Sequence, residues 1–315
     1  MIYLNEDSIK SIGISWEATI QVIRNTLKII HNKDFSQPIK PYLRYGNPDN
    51  RIIAMPAFLG GHIQTAGLKW IASFPRNIEL GIARAHSVTI LNEGNTGIPI
   101  CIINTPLISI IRTVSVSGVL LEEYLKRKEK VSIGIIGFGP IGKNHADMCV
   151  SLFKEKLSSL YIYDKVMKKD DSFYQNVNCQ FVDTWEKVYL NSDVVITCTT
   201  SAHRYINLAP REKAICLNIS LRDYCINTFD YFKDSIIVDS WEEVCRENTD
   251  IENYHLNKGL DKSHVFSLDD VIVNQRLDEI STPIMFNPMG MGVFDISIAH
   301  YYYKKSIKNK IGRNE

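Results

Sequence analysis

The stretch VSIGIIGFGPIGK, residues 131–143, carries Gly137, Gly139 and Gly142 in the spacing G-x-G-x-x-G. That spacing suits a pyrophosphate. The first glycine permits a tight turn, the second lets backbone approach phosphate, and the third lets helix and strand pack closely, with a helix N-terminus facing the anion. The glycines follow an apolar, β-branched run (131–136) and precede a helical pattern that begins at Ile141. The next apolar run, 160–164, ends in Asp164. A carboxylate there reaches a ribose 2′-hydroxyl and repels a 2′-phosphate, so NAD is expected over NADP.

Other candidates sit at the ends of later apolar runs. Cys198, Thr199 and Thr200 close the run 193–199 and would face the same crevice, or cap a helix or turn. Asp223 follows the run 214–220 and could serve as a general acid/base or as a helix N-cap. His145 and His203 are expected to be structural.

The first third of the chain holds cations in apolar settings. Lys40, Tyr42 and Arg44 would share one face of a strand. Lys69 lies within LKWIASF, Arg84 and His86 alternate in IARAHSV, and Arg112 interrupts PLISIIRTVSVSGVLL. A buried cation needs an anion, either a protein carboxylate or a ligand's. The nearest acids in sequence are Glu79 and Glu93, so a ligand with several carboxylates is expected for Lys69 and Arg112, and less firmly for Arg44 and Arg84. Lys40 reads as an ordinary exposed lysine.

The elements that must position these groups fall into two parts. Residues 1–105 read as α+β: an amphipathic helix over 16–30, then short strands, with NEGNTG (92–97) closing a hairpin. A helix is expected from 106 to about 127, with Pro106 in its first turn. Strands then alternate with helices at 131–136, 160–164, 193–199, 214–220, 235–239 and 284–288, the mark of a doubly wound parallel sheet. A last helix, 293 to about 308, could return to the first part.

Composition excludes several classes. Lys+Arg 36 against Asp+Glu 35 leaves a net charge of +1, with no basic field for nucleic acid or a membrane surface. The most apolar stretch, 98–121, is broken by Asn104, Pro106 and Arg112, against a membrane span. The seven cysteines form no C-x-x-C and no metal spacing is seen, so reduced thiols and no metal are expected. The opening MIYLNEDSIK has no leader pattern, and a cytoplasmic protein is expected.

The chain resembles the ornithine cyclodeaminase/mu-crystallin family in PYLR (41–44), MP (55–56), the lysine of GLKWI (67–71), SIIRTVSVS (109–117), GFGPIG (137–142), Asp164, Asp223 and MGMGVFDIS (289–297). KPYLR, RIIAMP, LKWIAS, VVITCT, NIS and FNPMGM are similar to one branch, the N-(2-amino-2-carboxyethyl)-L-glutamate dehydrogenases of 2,3-diaminopropionate biosynthesis, a route to siderophores or peptide products. The resemblance implies a substrate-binding and dimerisation domain (1–112, completed by 293–315), a Rossmann domain (113–292), bound NAD, no metal, and a homodimer.

It also implies roles. Arg44, Lys69, Arg84 and Met289 would meet substrate, and Arg112 would hold substrate or cofactor. Gly137, Gly139, Pro140, Ile141, Gly142, Asp164, Cys198, Thr199, Ser220 and Asp223 would meet NAD. Lys69 and Asp223 would be catalytic. Departures from cyclodeaminases are Arg84 where these often have threonine, residues 224–227 without their lysine, and Ile53 and Ala54 where they carry an acid. These suit a more anionic ligand than ornithine. Cyclodeaminase, imine reductase or amino-acid dehydrogenase chemistry, and nucleotide binding without catalysis, are the other readings.

Overall fold

The computed structural model describes residues 1–166, 174 and 176–314. It divides into two compact units, Met1–Val116 with Gly290–Glu315, and Ser117–Met289. The chain passes between them at 116/117 and 289/290, four residues after and three before the expected boundaries of 112/113 and 292/293.

The first unit is a mixed sheet covered on one face by helices. Its strands are β1 (Ile2–Asn5), β2 (Phe35–Ser36), β3 (Tyr42–Leu43), β4 (Arg51–Leu59), β5 (Thr65–Ser73), β6 (Ala85–Glu93) and β7 (Pro99–Asn104), with a C-terminal strand Arg313–Asn314 on its edge. The order runs from that edge strand through β1, β7, β6, β5 and β4 to β2, with β3 also on β4. β1 is parallel to β7 and the other pairings are antiparallel. The strand expected to carry Lys40, Tyr42 and Arg44 shrinks to Tyr42–Leu43, because Pro38 and Pro41 have no N–H to donate to a ladder.

The hairpin loop 92–97 is held by Glu93, whose carboxylate accepts from the Asn95 and Thr96 backbone N–H groups. Period two sorts the long strands. Met55, Ala57 and Leu59 of β4 and Ser87, Thr89 and Leu91 of β6 are buried, while Trp70 on the other face of β5 is 42% exposed. The helix Gly292–Asn309 covers the buried face and packs on the helix Trp16–His31. Contact is so close at Gly67 that a Cβ there would lie 2.6 Å from Ile296 Cδ1.

The second unit is a Rossmann-like doubly wound sheet, parallel throughout. Its strands are β8 (Val131–Ile136), β9 (Leu157–Tyr163), β10 (Cys179–Phe181), β11 (Val194–Thr197), β12 (Ile215–Asn218), β13 (Ile236–Val238), β14 (Val265–Ser267) and β15 (Ile284–Asn287). The order is β10-β9-β8-β11-β12-β15-β13-β14. Central strands β8, β11, β12 and β15 are buried at every position, as a sheet with both faces covered requires. The winding reverses at β8, between β9 and β11, and such a switch point leaves a crevice at the strand C-termini.

Candidate active site

The glycine turn connects β8 to the helix Pro140–Phe153. Gly137 has φ +93, and a Cβ on it would lie 2.7 Å from the Cys198 backbone; on Gly142 it would lie 2.1 Å from Gly137 O. At Gly139, the N-cap, an added Cβ meets nothing within 4 Å. Two of the three glycines are thus demanded by packing, and the third borders open space at a helix N-terminus. Those are the surroundings a pyrophosphate needs. Proline at the first helical position lacks an N–H that would go unbonded in any case.

Asp164 follows β9. Its carboxylate accepts from Phe138 N at 2.7 Å and from Val166 N at 2.9 Å, tying the glycine turn to the next strand. A carboxylate at the end of this strand is an acceptor of the kind a ribose hydroxyl needs. The residues present therefore fit NAD: Gly137, Gly139, Pro140, Ile141 and Gly142 at the turn, Asp164 for the ribose, and Cys198, Thr199 and Ser220 after β11 and β12. His145 is buried. Its ring nitrogens meet Ser117 Oγ and Ile141 O at 2.9 Å each, and burial pushes its pKa down to about 4.

Asp223 lies in the same unit and is fully buried. Thr199 Oγ1 donates to its Oδ1 at 2.6 Å, and Ser220 Oγ donates to its Oδ2. Burial pushes this carboxyl above the ordinary aspartate range, against the pull of the two hydroxyls. Met289, just past β15, is half-buried, and its N–H donates to Asp239 Oδ1 at 3.0 Å.

In the first unit Lys69 and Arg112 meet at one carboxylate, Asp295 of the helix Gly292–Asn309. Lys69 Nζ lies 2.8 Å from Oδ2 and Arg112 Nε 3.1 Å from Oδ1. Asp295 and Lys69 are buried. Lys69 also donates to Ser109 Oγ at 3.2 Å. Burial pulls the Lys69 amine down to about 7; Asp295 opposes that and Arg112 adds to it. Arg112 packs against Gly290, whose φ is +85 and where a Cβ would lie 2.2 Å from Nη1. Among the described residues the Arg112 Nη groups have no hydrogen-bond acceptor.

Two expectations are corrected here. The anion between Lys69 and Arg112 is a protein carboxylate, 183 residues from Arg112 in sequence, and not only a ligand's. Lys40 is buried, 3% exposed, donating to Gly290 O at 2.9 Å, and is no surface lysine. Neither was visible from neighbouring segments, because both partners come from the C-terminal part of the chain. The one signal for Asp295 was a lone acid amid the apolar residues of MGMGVFDIS. Arg44 is exposed over the Tyr42 ring at 5.2 Å, and Arg51 shares that ring at 5.8 Å. Arg84 is half-buried just ahead of β6, its carbonyl accepting from Phe74 N at 2.9 Å. Among the described residues, no group of His, Cys, Asp and Glu could hold a metal ion and no helix is long and apolar enough to cross a membrane.

Comparison with known proteins places these features in context. The model of the ornithine cyclodeaminase/mu-crystallin family matches residues 7–310. N-((2S)-2-amino-2-carboxyethyl)-L-glutamate dehydrogenase of Staphylococcus aureus is 31% identical, covering 99% of this chain and 97% of the relative. Among solved structures, Delta(1)-pyrroline-2-carboxylate reductase of Thermococcus litoralis, in complex with NADH and L-proline, superposes with a TM-score of 0.88 at 20% identity over 100% of both chains. An archaeal alanine dehydrogenase dimer with bound NAD gives 0.81 at 20% identity, covering 99% of this chain and 98% of that one. At that identity the two structures speak for the fold.

Proposed function

Since this chain belongs to the ornithine cyclodeaminase/mu-crystallin family and is an NAD-dependent oxidoreductase, we propose that it oxidises the C–N bond of N-((2S)-2-amino-2-carboxyethyl)-L-glutamate. With NAD⁺ and water the products would be 2-oxoglutarate, L-2,3-diaminopropionate and NADH plus a proton. The observation that carries this reading is the buried lysine–arginine pair that shares one carboxylate, with the Arg112 Nη groups still able to take another. A substrate with three carboxylates uses such a site better than ornithine does. The relative of matching name supports the same choice.

Bound NAD⁺ supplies the hydride acceptor. The chain's residues do the rest. Arg112 and Lys69 hold a substrate carboxylate, which fixes the reacting carbon and lowers the entropic part of the barrier. Arg44 and Arg84 take the further carboxylates. Asp223 moves protons as water adds across the C=N bond and the amine leaves. Lys69, poised near neutrality, can give or take a proton within its own cluster. Two copies would pair through the sheet face that bears Trp70.

The test is NADH absorbance on mixing protein, NAD⁺ and N-((2S)-2-amino-2-carboxyethyl)-L-glutamate, with L-ornithine in parallel and products read by mass spectrometry. NADH together with 2-oxoglutarate from the first substrate is the expected result. Proline and ammonia from ornithine without net NADH would replace this reading with a cyclodeaminase.

A further inference from the structure

We infer that Asp250 is a positioning residue: it holds the backbone of the turn 218–224 so that the Asp223 carboxylate stays beneath Thr199 and Ser220. The inference rests on the proposed role of Asp223 as the proton-handling group.

Asp250 opens the helix Asp250–Lys258 and is fully buried. Its Oδ2 accepts from Asp223 N and Tyr224 N, each at 3.0 Å, and from Asn218 Nδ2 at 2.9 Å. Its Oδ1 accepts from Arg204 Nε at 2.6 Å. Asp250 N donates to Leu221 O at 2.8 Å. Asn218 closes the turn from inside, its Oδ1 accepting from Leu221 N at 2.9 Å and its Nδ2 donating to Asn287 Oδ1 at 2.8 Å. One carboxylate thus grips the amide of the residue that carries the proposed acid/base.

Backbone conformation shows that this grip works against local preference. Leu221 has φ 66, and Glu247 and Asn248, just ahead of Asp250, have φ 64 and 56. Asparagine tolerates this left-handed region, but the side chains of Leu221 and Glu247 make it unfavourable. Such residues persist where their surroundings over-determine them, and they gather at functional sites. Arginines do this here. Arg222 Nε and Nη2 donate to Glu247 O at 3.2 and 2.7 Å, and Arg204 Nη2 donates to Asn248 O at 2.8 Å and Thr249 O at 3.0 Å. The reversal at Leu221 is what lets Asp223 receive the hydroxyl of Ser220, three residues earlier.

An ionised carboxylate is the one side chain that serves all four donors. The amide of Asp250→Asn keeps a single acceptor oxygen, enough for Arg204 or for the two backbone N–H groups, but not both.

The experiment uses the full chain with Asp250→Asn, Arg204→Gln and the conservative Arg204→Lys. Two readouts are taken: amide hydrogen exchange of the peptide spanning 218–226, and kcat, KM and NAD⁺ affinity in the NADH assay. Asp250→Asn and Arg204→Gln should speed exchange at Asp223 and Tyr224 about tenfold or more while β8 and β11 stay protected. They should lower kcat by about 10- to 100-fold with KM and NAD⁺ affinity within about twofold. Arg204→Lys should recover part of kcat. Unchanged exchange overturns the inference; so does a loss in which kcat and NAD⁺ affinity fall together while KM rises. Should Asp250→Asn fail to fold, Arg204→Gln, at a partly exposed site, decides the matter alone. If the wild-type protein makes no NADH from the tricarboxylate, the reaction assignment fails, and exchange by itself still decides the role of Asp250.

Discussion

Asp295 and Asp223 are both fully buried aspartates, yet their surroundings differ in kind. Asp295 sits between a lysine at 2.8 Å and an arginine at 3.1 Å. Asp223 sits beneath two neutral hydroxyls, and among the described residues it forms no ion pair. A charge facing two opposite charges is tied to them, and removing it strands both. A charge held only by hydroxyl donors keeps its proton exchange open, because either protonation state can be hydrogen-bonded there. The first arrangement suits fixed recognition of anions, and the second suits moving a proton.

Three substitutions test that contrast. Asp223→Asn should have the largest effect, lowering kcat by ~10²- to 10⁴-fold. The acid limb of the wild-type kcat–pH profile should lie above the ordinary aspartate range, since burial raises this group, and should vanish in the variant. A loss of less than tenfold would remove Asp223 from proton transfer. Next, Asp295→Asn leaves Lys69 and Arg112 without their shared anion. Unfolding in urea should show a loss of about 3–5 kcal/mol, the usual consequence of breaking a buried pair. A change within about 0.5 kcal/mol would mean the cations are already neutralised by other means.

The most gradual effect is a slope. The folded-state pKa of Lys69 is lowered, to about 7 from 10.5. A depressed pKa contributes stability that is complete above the unfolded value and is lost as pH falls through the folded one. The stability of wild type relative to Lys69→Met should therefore rise between about pH 7 and 10.5, by at most about 1.4 kcal/mol per pH unit. Parallel curves across that window would show that Lys69 keeps its proton throughout.

Much of the second unit could be read along the chain. β8, the glycine turn, the helix after it and Asp164 belong to one strand–turn–helix–strand unit, and the bond from Phe138 N to Asp164 spans 26 residues. Its glycines answer to backbone geometry, which a short window contains. Less was legible in the first unit. The apolar neighbours of Lys69 in LKWIASF and the apolar run around Arg112 marked both cations as needing an anion. Neither pattern names a partner. Lys40 illustrates the limit, since nothing between Pro38 and Pro41 announces that its amine will meet the Gly290 carbonyl, 250 residues on.

Sequence by itself determined the alternation of strand and helix, the parallel sheet, the turn that suits a pyrophosphate and the family resemblance. Each rests on local spacing or on strings of residues in order. Tertiary structure alone decided which anion balances Lys69 and Arg112, that Lys40 is buried, and that Asp250 and Arg204 grip the turn bearing Asp223. The physical reason is that a buried charge selects its partner by proximity after packing. Proximity comes from helix Gly292–Asn309 lying on the sheet in one unit, and from helix Asp250–Lys258 starting beside Leu221 in the other.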